Sequence, residues 1–265
     1  MITRIDRVMS ELKAAGKKGI FIYITAGAPD IKTTLEAVKK AEAAGANVIE
    51  LGLPFSDPMA DGPVIQTASV VALKNGMTLA KEMELVREIR KFSDIPIIGM
   101  GYINNMYHYG FERFVKDFKA AGMDGVIVPD VPHEESGDMR RICAENNFIL
   151  AEFITTGTTE ARMEETCKGA TGFIYCVSNN GVTGVKKVDY STIGKVCDKA
   201  RNFTNTPLAV GFGIGSPEAA VAAAAHADAV IVGSAVVKQL LAGEMDEAMQ
   251  LISDMRQALD SSYKD

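Results

Sequence analysis

Eight short apolar runs, separated by longer amphipathic stretches, constrain the fold of this chain more than any other feature. Each run is rich in β-branched residues and is hardly interrupted by polar ones, which is typical of strands buried on both faces. The stretches between them carry apolar residues at helical spacing. This alternation predicts a parallel sheet covered by helices on both sides. The predicted strands are 20–25, 47–52, 95–100, 125–128, 148–153, 172–177, 207–211 and 229–232.

A recurring helix-to-strand junction supports a repeated βα unit. It occurs at 43–49, 120–126 and 225–231, and in the first two copies Gly45 and Gly122 are placed to end a helix in the left-handed conformation. Eight such units in about 250 residues predict an α/β protein with the (β/α)8 TIM barrel fold, and a doubly wound open sheet is the alternative. The predicted helices are 32–44, 79–91, 111–121, 134–146, 159–168, 190–201 and 218–225.

The N-terminal segment carries Ile5, Val8, Met9 and Leu12 at helical spacing, which predicts an extra amphipathic helix before the first strand. The acidic residues within it are not expected in a signal or transit peptide. No linker rich in Pro, Gly or Ser divides the chain, so we expect a single domain over residues 1–265.

Composition excludes several classes of function. The net charge of −6 over 265 residues argues against binding to nucleic acid or to an anionic membrane, and no apolar run approaches the roughly 20 residues that span a bilayer. The three histidines are scattered, so we expect no metal site. The cysteines form no Cys-x-x-Cys pair, which predicts reduced thiols and a cytoplasmic protein; they are Cys143, Cys167, Cys176 and Cys197.

Glu50 is the most unusual residue of the predicted strands, because it interrupts an otherwise apolar run. If Val48 faces the barrel interior, then Glu50 and Gly52 do so as well, because side chains alternate along a strand. Burial would raise the pKa of its carboxyl, which suits a group that donates and recovers a proton near neutral pH. A structural Glu paired with Lys or Arg is the alternative, but the strand ends nearby carry no basic residue.

Asp61 lies in the Pro-, Gly- and Asp-rich loop that follows this strand, just before a helix opened by Pro63. Taken alone, an aspartate there is most often a turn or helix-start residue. Asp57, in Ser-Asp-Pro, has the same turn chemistry. Asp57 keeps this turn interpretation, and only the wider context makes Asp61 a candidate for catalysis.

Two glycine-rich turns are candidates for phosphate binding. The segment 208–218 ends a strand, passes through Gly213 and opens a helix, and the segment 230–238 does the same through Gly233 and Ser234. Backbone N–H groups at such helix starts bind anions, and the loops after the last two strands are the usual phosphate site of TIM barrels.

The loop 178–186 combines glycines, asparagines and a threonine, a composition that suits either an active-site lid or a plain surface loop. Tyr23, Tyr102 and Tyr175 lie in or beside the first, third and sixth predicted strands, where they could line a pocket or simply pack.

The run from Glu50 to Gln66 resembles the signature of the tryptophan synthase alpha chain family. Further similar segments follow in the family's order across nearly the whole chain, at 23–27, 129–136, 181–184, 211–214 and 233–234. The resemblance implies a lyase that cleaves indole-3-glycerol phosphate to indole and glyceraldehyde 3-phosphate by a retro-aldol reaction. It also implies a beta chain partner, in an α2β2 heterotetramer, that carries pyridoxal phosphate, whereas this chain needs no cofactor.

The resemblance also implies individual roles. Glu50 would be the acid and base, and Asp61 would accept the N–H of the indole. Tyr175 would contact the substrate, Phe212 would form a wall of its pocket, and Thr183 would close toward Asp61. The phosphate would be held by Gly184, Gly213, Gly233 and Ser234. Some members of the family have a basic residue in the lid where this chain has Asn179 and Asn180, which leaves closure of the lid and its coupling to the partner open but does not affect the expected cleavage.

Three other functions remain open from the sequence. A lyase that releases indole without a partner would differ in the loop 53–60, which the family turns toward the beta chain. A catalytically silent phosphate-binding barrel could act only as a partner subunit, although the presence of both Glu50 and Asp61 argues against it. An isomerase or epimerase of another phosphorylated sugar would need only the phosphate turns.

Overall fold

Parallel strands form one sheet that curves into a nearly closed barrel, in a computed structural model that describes residues 2–177 and 189–263. Every hydrogen-bonded neighbour in the sheet runs parallel, and the strand order is β5-β4-β3-β2-β1-β9-β8-β7-β6. The strands are β1 (Gly19–Thr25), β2 (Val48–Gly52), β3 (Ile97–Met100), β4 (Gly125–Ile127), β5 (Ile149–Leu150), β6 (Glu152–Thr155), β7 (Ile174–Val177), β8 (Leu208–Gly211) and β9 (Ala229–Val232).

The strand predicted at 148–153 is divided into β5 and β6, which are separated by Ala151 alone. β5 pairs with β4, and β6 pairs with β7, so this one stretch joins the two ends of the sheet order. The N–H of Ala151 still donates to the carbonyl of Val126 at 3.0 Å, which keeps the stretch attached to β4. The predicted TIM barrel is therefore confirmed, and the open doubly wound sheet is excluded.

Helices cover the outside of the barrel. They are α1 (Arg4–Ala14), α2 (Ile31–Ala43), α3 (Pro63–Lys74), α4 (Leu79–Arg90), α5 (Ile103–Tyr109), α6 (Phe111–Ala121), α7 (Gly137–Glu145), α8 (Glu160–Lys168), α9 (Ser191–Ala200), α10 (Pro217–Ala224), α11 (Ser234–Ala242) and α12 (Met245–Ser262). The helix predicted at 134–146 starts later than expected, because a 3-10 turn, His133–Glu135, comes before α7. The left-handed glycines predicted at helix ends are confirmed, with φ of 109° at Gly45 and 108° at Gly122.

Alternate residues of each strand divide into two apolar layers. One layer fills the barrel interior and includes Phe21, Val48 and Phe173, with the Phe21 and Phe173 rings edge to face at 5.0 Å. The other layer lies between the sheet and the helices and includes Ile49 and Leu51. The orientation predicted for β2 from side-chain alternation is therefore confirmed.

Helix α1 closes the amino-terminal end of the barrel. Its Ile5 and Met9 belong to the interior layer. Arg4 pairs with the buried carboxylate of Asp124 at 3.0 Å, and this carboxylate also accepts from Arg90 at 3.0 Å and from the N–H of Ile97 at 2.9 Å. This end of the barrel is therefore filled by apolar side chains and held by charged hydrogen bonds.

No helix among the described residues has the length and apolar content needed to cross a bilayer.

Candidate active site

A cavity of about 1880 Å³ opens at the carboxyl ends of the strands. Its floor includes the interior residues Met100, Ile127 and Ile231, and its walls come from the loops that follow the strands. It brings together most of the described residues predicted for the site, namely Tyr23, Glu50, Asp61, Tyr175, Phe212, Gly213, Gly233 and Ser234. This is the end of a TIM barrel at which active sites form.

Glu50 lies in the middle of β2, opposite Tyr23 of β1 and Ile98 of β3. Its side chain is 3% exposed, and its Oε2 has no hydrogen-bond partner among the described residues. No ion pair joins it to a described Lys or Arg, so nothing in this part of the chain supports a purely structural Glu. Burial, together with the nearby charge of Asp61, raises the pKa of Glu50 to about 8.

Asp61 is placed by the turn before α3, where Gly62 is the N-cap and Pro63 the first helical residue. Its backbone N–H donates to the carbonyl of Pro58 at 3.1 Å. Burial raises the pKa of Asp61 to about 6, although a hydrogen bond from the Tyr102 hydroxyl acts in the opposite direction.

Tyr102 contacts the loop that carries Asp61. Its hydroxyl accepts from the N–H of Ala60 at 2.9 Å, and its ring stacks on Phe55 with centroids 5.2 Å apart. Tyr102 does not itself line the cavity, in contrast to Tyr23 and Tyr175. Its position next to Asp61 suits a residue that orients the carboxylate.

The two carboxyls therefore differ in ionisation near neutral pH. With pKa values of about 8 for Glu50 and about 6 for Asp61, the first is largely protonated at pH 7 and the second is largely ionised. One barrel mouth thus holds a proton donor and a carboxylate acceptor. Such a divergence between two neighbouring carboxyls is typical of acid and electrostatic roles in one active site.

Tyr23 and Tyr175 occupy space that two strand-end glycines leave open. A Cβ at Gly52, at the end of β2, would collide with the hydroxyl of Tyr23. A Cβ at Gly211, at the end of β8, would likewise collide with the hydroxyl of Tyr175. Both glycines shape the wall of the cavity, and neither is among the site residues predicted from the sequence. Strand pairing is the signal that could have found them, because each glycine ends the strand next to a tyrosine strand.

Aromatic rings form one wall of the cavity. The ring of Tyr175 packs against Phe153 at 5.3 Å and against Phe212 at 6.4 Å. Phe212 has a φ of 76°, which is unusual for a residue with a side chain and costs about 1–2 kcal/mol. Backbone strain of this kind is found at sites where the structure holds a residue for function.

The two predicted phosphate turns lie side by side, because β8 and β9 are paired. After β8, Gly213 has a φ of 75°, and Ser216 caps α10 by accepting from the N–H of Ala219 at 3.3 Å. After β9, Gly233 is the N-cap of α11, and Ser234 is its first residue. Gly213, Gly233 and Ser234 all line the cavity, so N–H groups at two helix starts lie at its edge.

The predicted lid lies outside the described residues, and with it Asn179, Asn180, Thr183 and Gly184. Within the described part of the chain, no cluster of His, Cys, Asp and Glu could hold a metal ion.

Comparison with known proteins gives the family. Residues 9–263 match the family of the tryptophan synthase alpha chain. The chain belongs to the tryptophan synthase alpha chain family.

Solved structures agree with this family. The tryptophan synthase subunit alpha of Legionella pneumophila is 34% identical, with a TM-score of 0.91 over 98% of this chain and 100% of that one. A protein of Aquifex aeolicus is also 34% identical, with a TM-score of 0.91 over 97% and 99%. A Mycobacterium tuberculosis tryptophan synthase in an aminoacrylate-bound form is 26% identical, with a TM-score of 0.88 over 97% and 99%.

As a member of the tryptophan synthase alpha chain family, the protein is a carbon–carbon lyase. It cleaves indole-3-glycerol phosphate to indole and glyceraldehyde 3-phosphate, and it serves as an alpha subunit in tryptophan biosynthesis. The isomerase, epimerase and silent-barrel alternatives are thereby excluded.

Proposed function

We propose that Glu50 and Asp61 carry out this retro-aldol cleavage, with the phosphate of the substrate held at the turns after β8 and β9. The observation that supports this most directly is the different ionisation of the two carboxyls in one cavity, with a pKa of about 8 for Glu50 and about 6 for Asp61.

Glu50 acts as acid and then as base. Its carboxyl is protonated at neutral pH and delivers this proton to C3 of the indole ring. The resulting carboxylate then takes the proton of the side-chain hydroxyl next to the ring. The bond from C3 to the side chain breaks, the hydroxyl carbon becomes the aldehyde, and the bonding electrons return to the ring. Glu50 ends the cycle protonated, as it began.

Asp61 stabilises the intermediate state. Protonation at C3 places positive charge on the ring nitrogen, and a carboxylate that accepts its N–H hydrogen bond lowers the energy of that state. A pKa of about 6 keeps Asp61 ionised at pH 7, as this role requires. Tyr102 keeps the loop around Asp61 in place through its bond to Ala60.

The rest of the substrate is bound by the cavity walls. Tyr23, Tyr175 and Phe212 enclose the indole ring, and the phosphate is bound by Gly213, Gly233 and Ser234. The family resemblance adds Thr183 and Gly184 from the lid to this set.

The partner is the tryptophan synthase beta chain, in an α2β2 heterotetramer, and pyridoxal phosphate belongs to that chain. Among the described residues of the loop 53–60, Met59 is 78% exposed, which suits a surface that a partner covers. The four free, buried cysteines support a cytoplasmic location, and the continuous sheet supports a single domain over 1–265.

An indole-release assay tests the proposal. The protein is mixed with indole-3-glycerol phosphate, with and without a beta chain, and indole is measured. Faster release with the beta chain supports the alpha subunit role described here. Equal release in both conditions would identify a lyase that acts alone, and no release in either would contradict the proposal.

A further inference from the structure

The cavity is strongly acidic for a site that accepts a phosphorylated substrate. Besides Glu50, which is largely protonated at pH 7, five carboxyl groups of described residues line it, those of Asp61, Asp130, Glu152, Asp189 and Glu218. The whole chain carries a net charge of −6. A phosphate dianion that enters this cavity meets repulsion unless a cation lies near its binding turns.

Only two described lining residues carry a Lys or Arg charge, Arg162 and Lys238. Arg162 is already paired, because its Nη2 lies 2.8 Å from a carboxylate oxygen of Glu134. Lys238 has no hydrogen bond or ion pair with any described residue, and its side chain is exposed. Lys238 is therefore the lining cation in this part of the chain that remains available to a ligand.

Helix geometry directs Lys238 toward the phosphate turn. It lies four residues after Ser234, so the two side chains share one face of α11. Long side chains of a helix lean toward its N-terminus, so we expect the lysine stem to lean back toward the turn of Gly233 and Ser234. Helix α11 buries Val236, Val237 and Leu240. This burial fixes the rotation of the helix about its axis, and Ser234 and Lys238 are left exposed to the cavity.

We propose that Lys238 binds the phosphate of the substrate as a mobile cation, beside the backbone N–H groups of the two turns. This inference rests on the proposed phosphate site at Gly213, Gly233 and Ser234. The N–H groups fix the position of the phosphate, and the ammonium group compensates the carboxylates that surround it. Lys238 contacts the phosphate and not the reacting carbon, so its effect falls on substrate affinity.

Steady-state kinetics of the αβ complex test this role. Lys238→Met should raise KM for indole-3-glycerol phosphate roughly 10- to 150-fold, the range for a lost hydrogen bond to a charged group, and the effect should fall on KM rather than on kcat. Lys238→Arg should restore most of the affinity, because the charge is kept. Lys39→Met is the matched control, since Lys39 is an exposed lysine of α2 outside the cavity lining.

Binding of the two products separates the phosphate contribution from other effects. Calorimetric titration should show weaker binding of glyceraldehyde 3-phosphate by Lys238→Met and unchanged binding of indole. Raising the salt concentration should weaken binding by the wild type more than by the variant.

Equal KM and equal glyceraldehyde 3-phosphate affinity in the wild type and Lys238→Met would overturn the inference. A loss confined to kcat, or a loss not restored by Lys238→Arg, would overturn it as well. If the wild type releases no indole, the proposed function fails instead, and the titration with glyceraldehyde 3-phosphate still decides the role of Lys238.

Discussion

Glu50 and Asp61 show how position alone gives two similar side chains different chemistry. Glu50 lies inside the barrel on a strand, and burial is the main cause of its raised pKa. Asp61 lies on a loop at the mouth, where a hydrogen bond from Tyr102 opposes the effect of burial. Because the charge of Asp61 also raises the pKa of Glu50, Asp61 helps to keep Glu50 in the protonated state with which the reaction starts.

Asp61→Asn is expected to lower kcat by roughly 10²- to 10⁴-fold, because no carboxylate then stabilises the positive charge that forms on the indole nitrogen. The residual activity should also have a shifted pH profile. Loss of the aspartate charge lowers the pKa of Glu50, so the decline of the rate at high pH should begin below its wild-type position near pH 8.

The pH dependence of kcat/KM for both proteins measures this. Asp246→Asn is the control, since Asp246 is an exposed aspartate of α12 outside the cavity lining. A full rate in Asp61→Asn, or a high-pH limb that does not move, would remove Asp61 from the mechanism.

The sequence predicted the orientation of Glu50, because alternation along a single apolar strand decides which face each residue takes. It could not predict the contact between Tyr102 and the Asp61 loop, since the two are brought together by the barrel and not by local sequence. The collisions that exclude a side chain at Gly52 and Gly211 depend in the same way on neighbouring strands.

Strand β2 and the loop that follows it carry the two carboxyls proposed for catalysis, and the ends of β2 and β8 each have a specific requirement. β8 must end in a residue without a side chain, because Tyr175 of the neighbouring β7 extends across it. The same holds for β2 and Tyr23. The shape of the pocket therefore depends on pairs of adjacent strands rather than on single loops.

Gly211→Ala is expected to displace the Tyr175 ring, because the added Cβ would collide with the tyrosine hydroxyl. We expect a loss of about 1–3 kcal/mol in the free energy of unfolding, as for other overpacked sites. We also expect kcat/KM to fall roughly 10- to 100-fold through the altered pocket.

Chemical denaturation and steady-state kinetics test this together. Gly169→Ala is the control, since no atom lies within 4 Å of the Cβ it would add. Unchanged stability and activity in Gly211→Ala would show that Tyr175 does not require the space above this glycine.

The strands were predictable because continuous apolar runs are a strong signal, and differences at their ends have local causes. β7 starts at Ile174 rather than at residue 172, where Gly172 has a φ of 68° that no strand adopts. Helix α5 was not predicted, because its short sequence contains Asn, His and Tyr, which are weak helix formers. Helix α12 was also not predicted, although Ala248, Ile252, Met255 and Leu259 are buried at helical spacing.

For the whole molecule, the two ends of the barrel have separate tasks. The amino-terminal end is filled by α1 and held by the Asp124 hydrogen bonds, and the carboxyl-terminal end carries the cavity. Another buried carboxyl, Glu82 of α4, has a pKa raised to about 8 by burial, and its Oε2 has no hydrogen-bond partner among the described residues. Glu82 does not line the cavity, so its effect is on stability and not on catalysis.

Glu82→Met is expected to make the free energy of unfolding less sensitive to pH. The folded protein holds a proton on Glu82 between pH 4.5 and about 8, where the unfolded chain has lost it, so stability falls as pH rises through this window. Removing the carboxyl should make the slope of the free energy of unfolding against pH less steep by up to about 1.4 kcal/mol per pH unit. Glu50 contributes in the same direction and remains in the variant.

Urea denaturation at several values between pH 5 and pH 8 measures the slope. Glu84→Met, at an exposed position of the same helix, is the control and should keep the wild-type slope. Parallel curves for the wild type and Glu82→Met would show that Glu82 is ionised in the folded protein.

In the proposed mechanism, one buried carboxyl, Glu50, moves both protons of the cleavage. The most direct measurement compares indole release by the wild type and Glu50→Gln at pH 7, with saturating indole-3-glycerol phosphate and the beta chain present. Glyceraldehyde 3-phosphate affinity is measured in parallel. We predict that the variant loses roughly 10²- to 10⁴-fold in rate while its phosphate affinity stays unchanged. A variant that retains more than a few per cent of the wild-type rate would contradict the account.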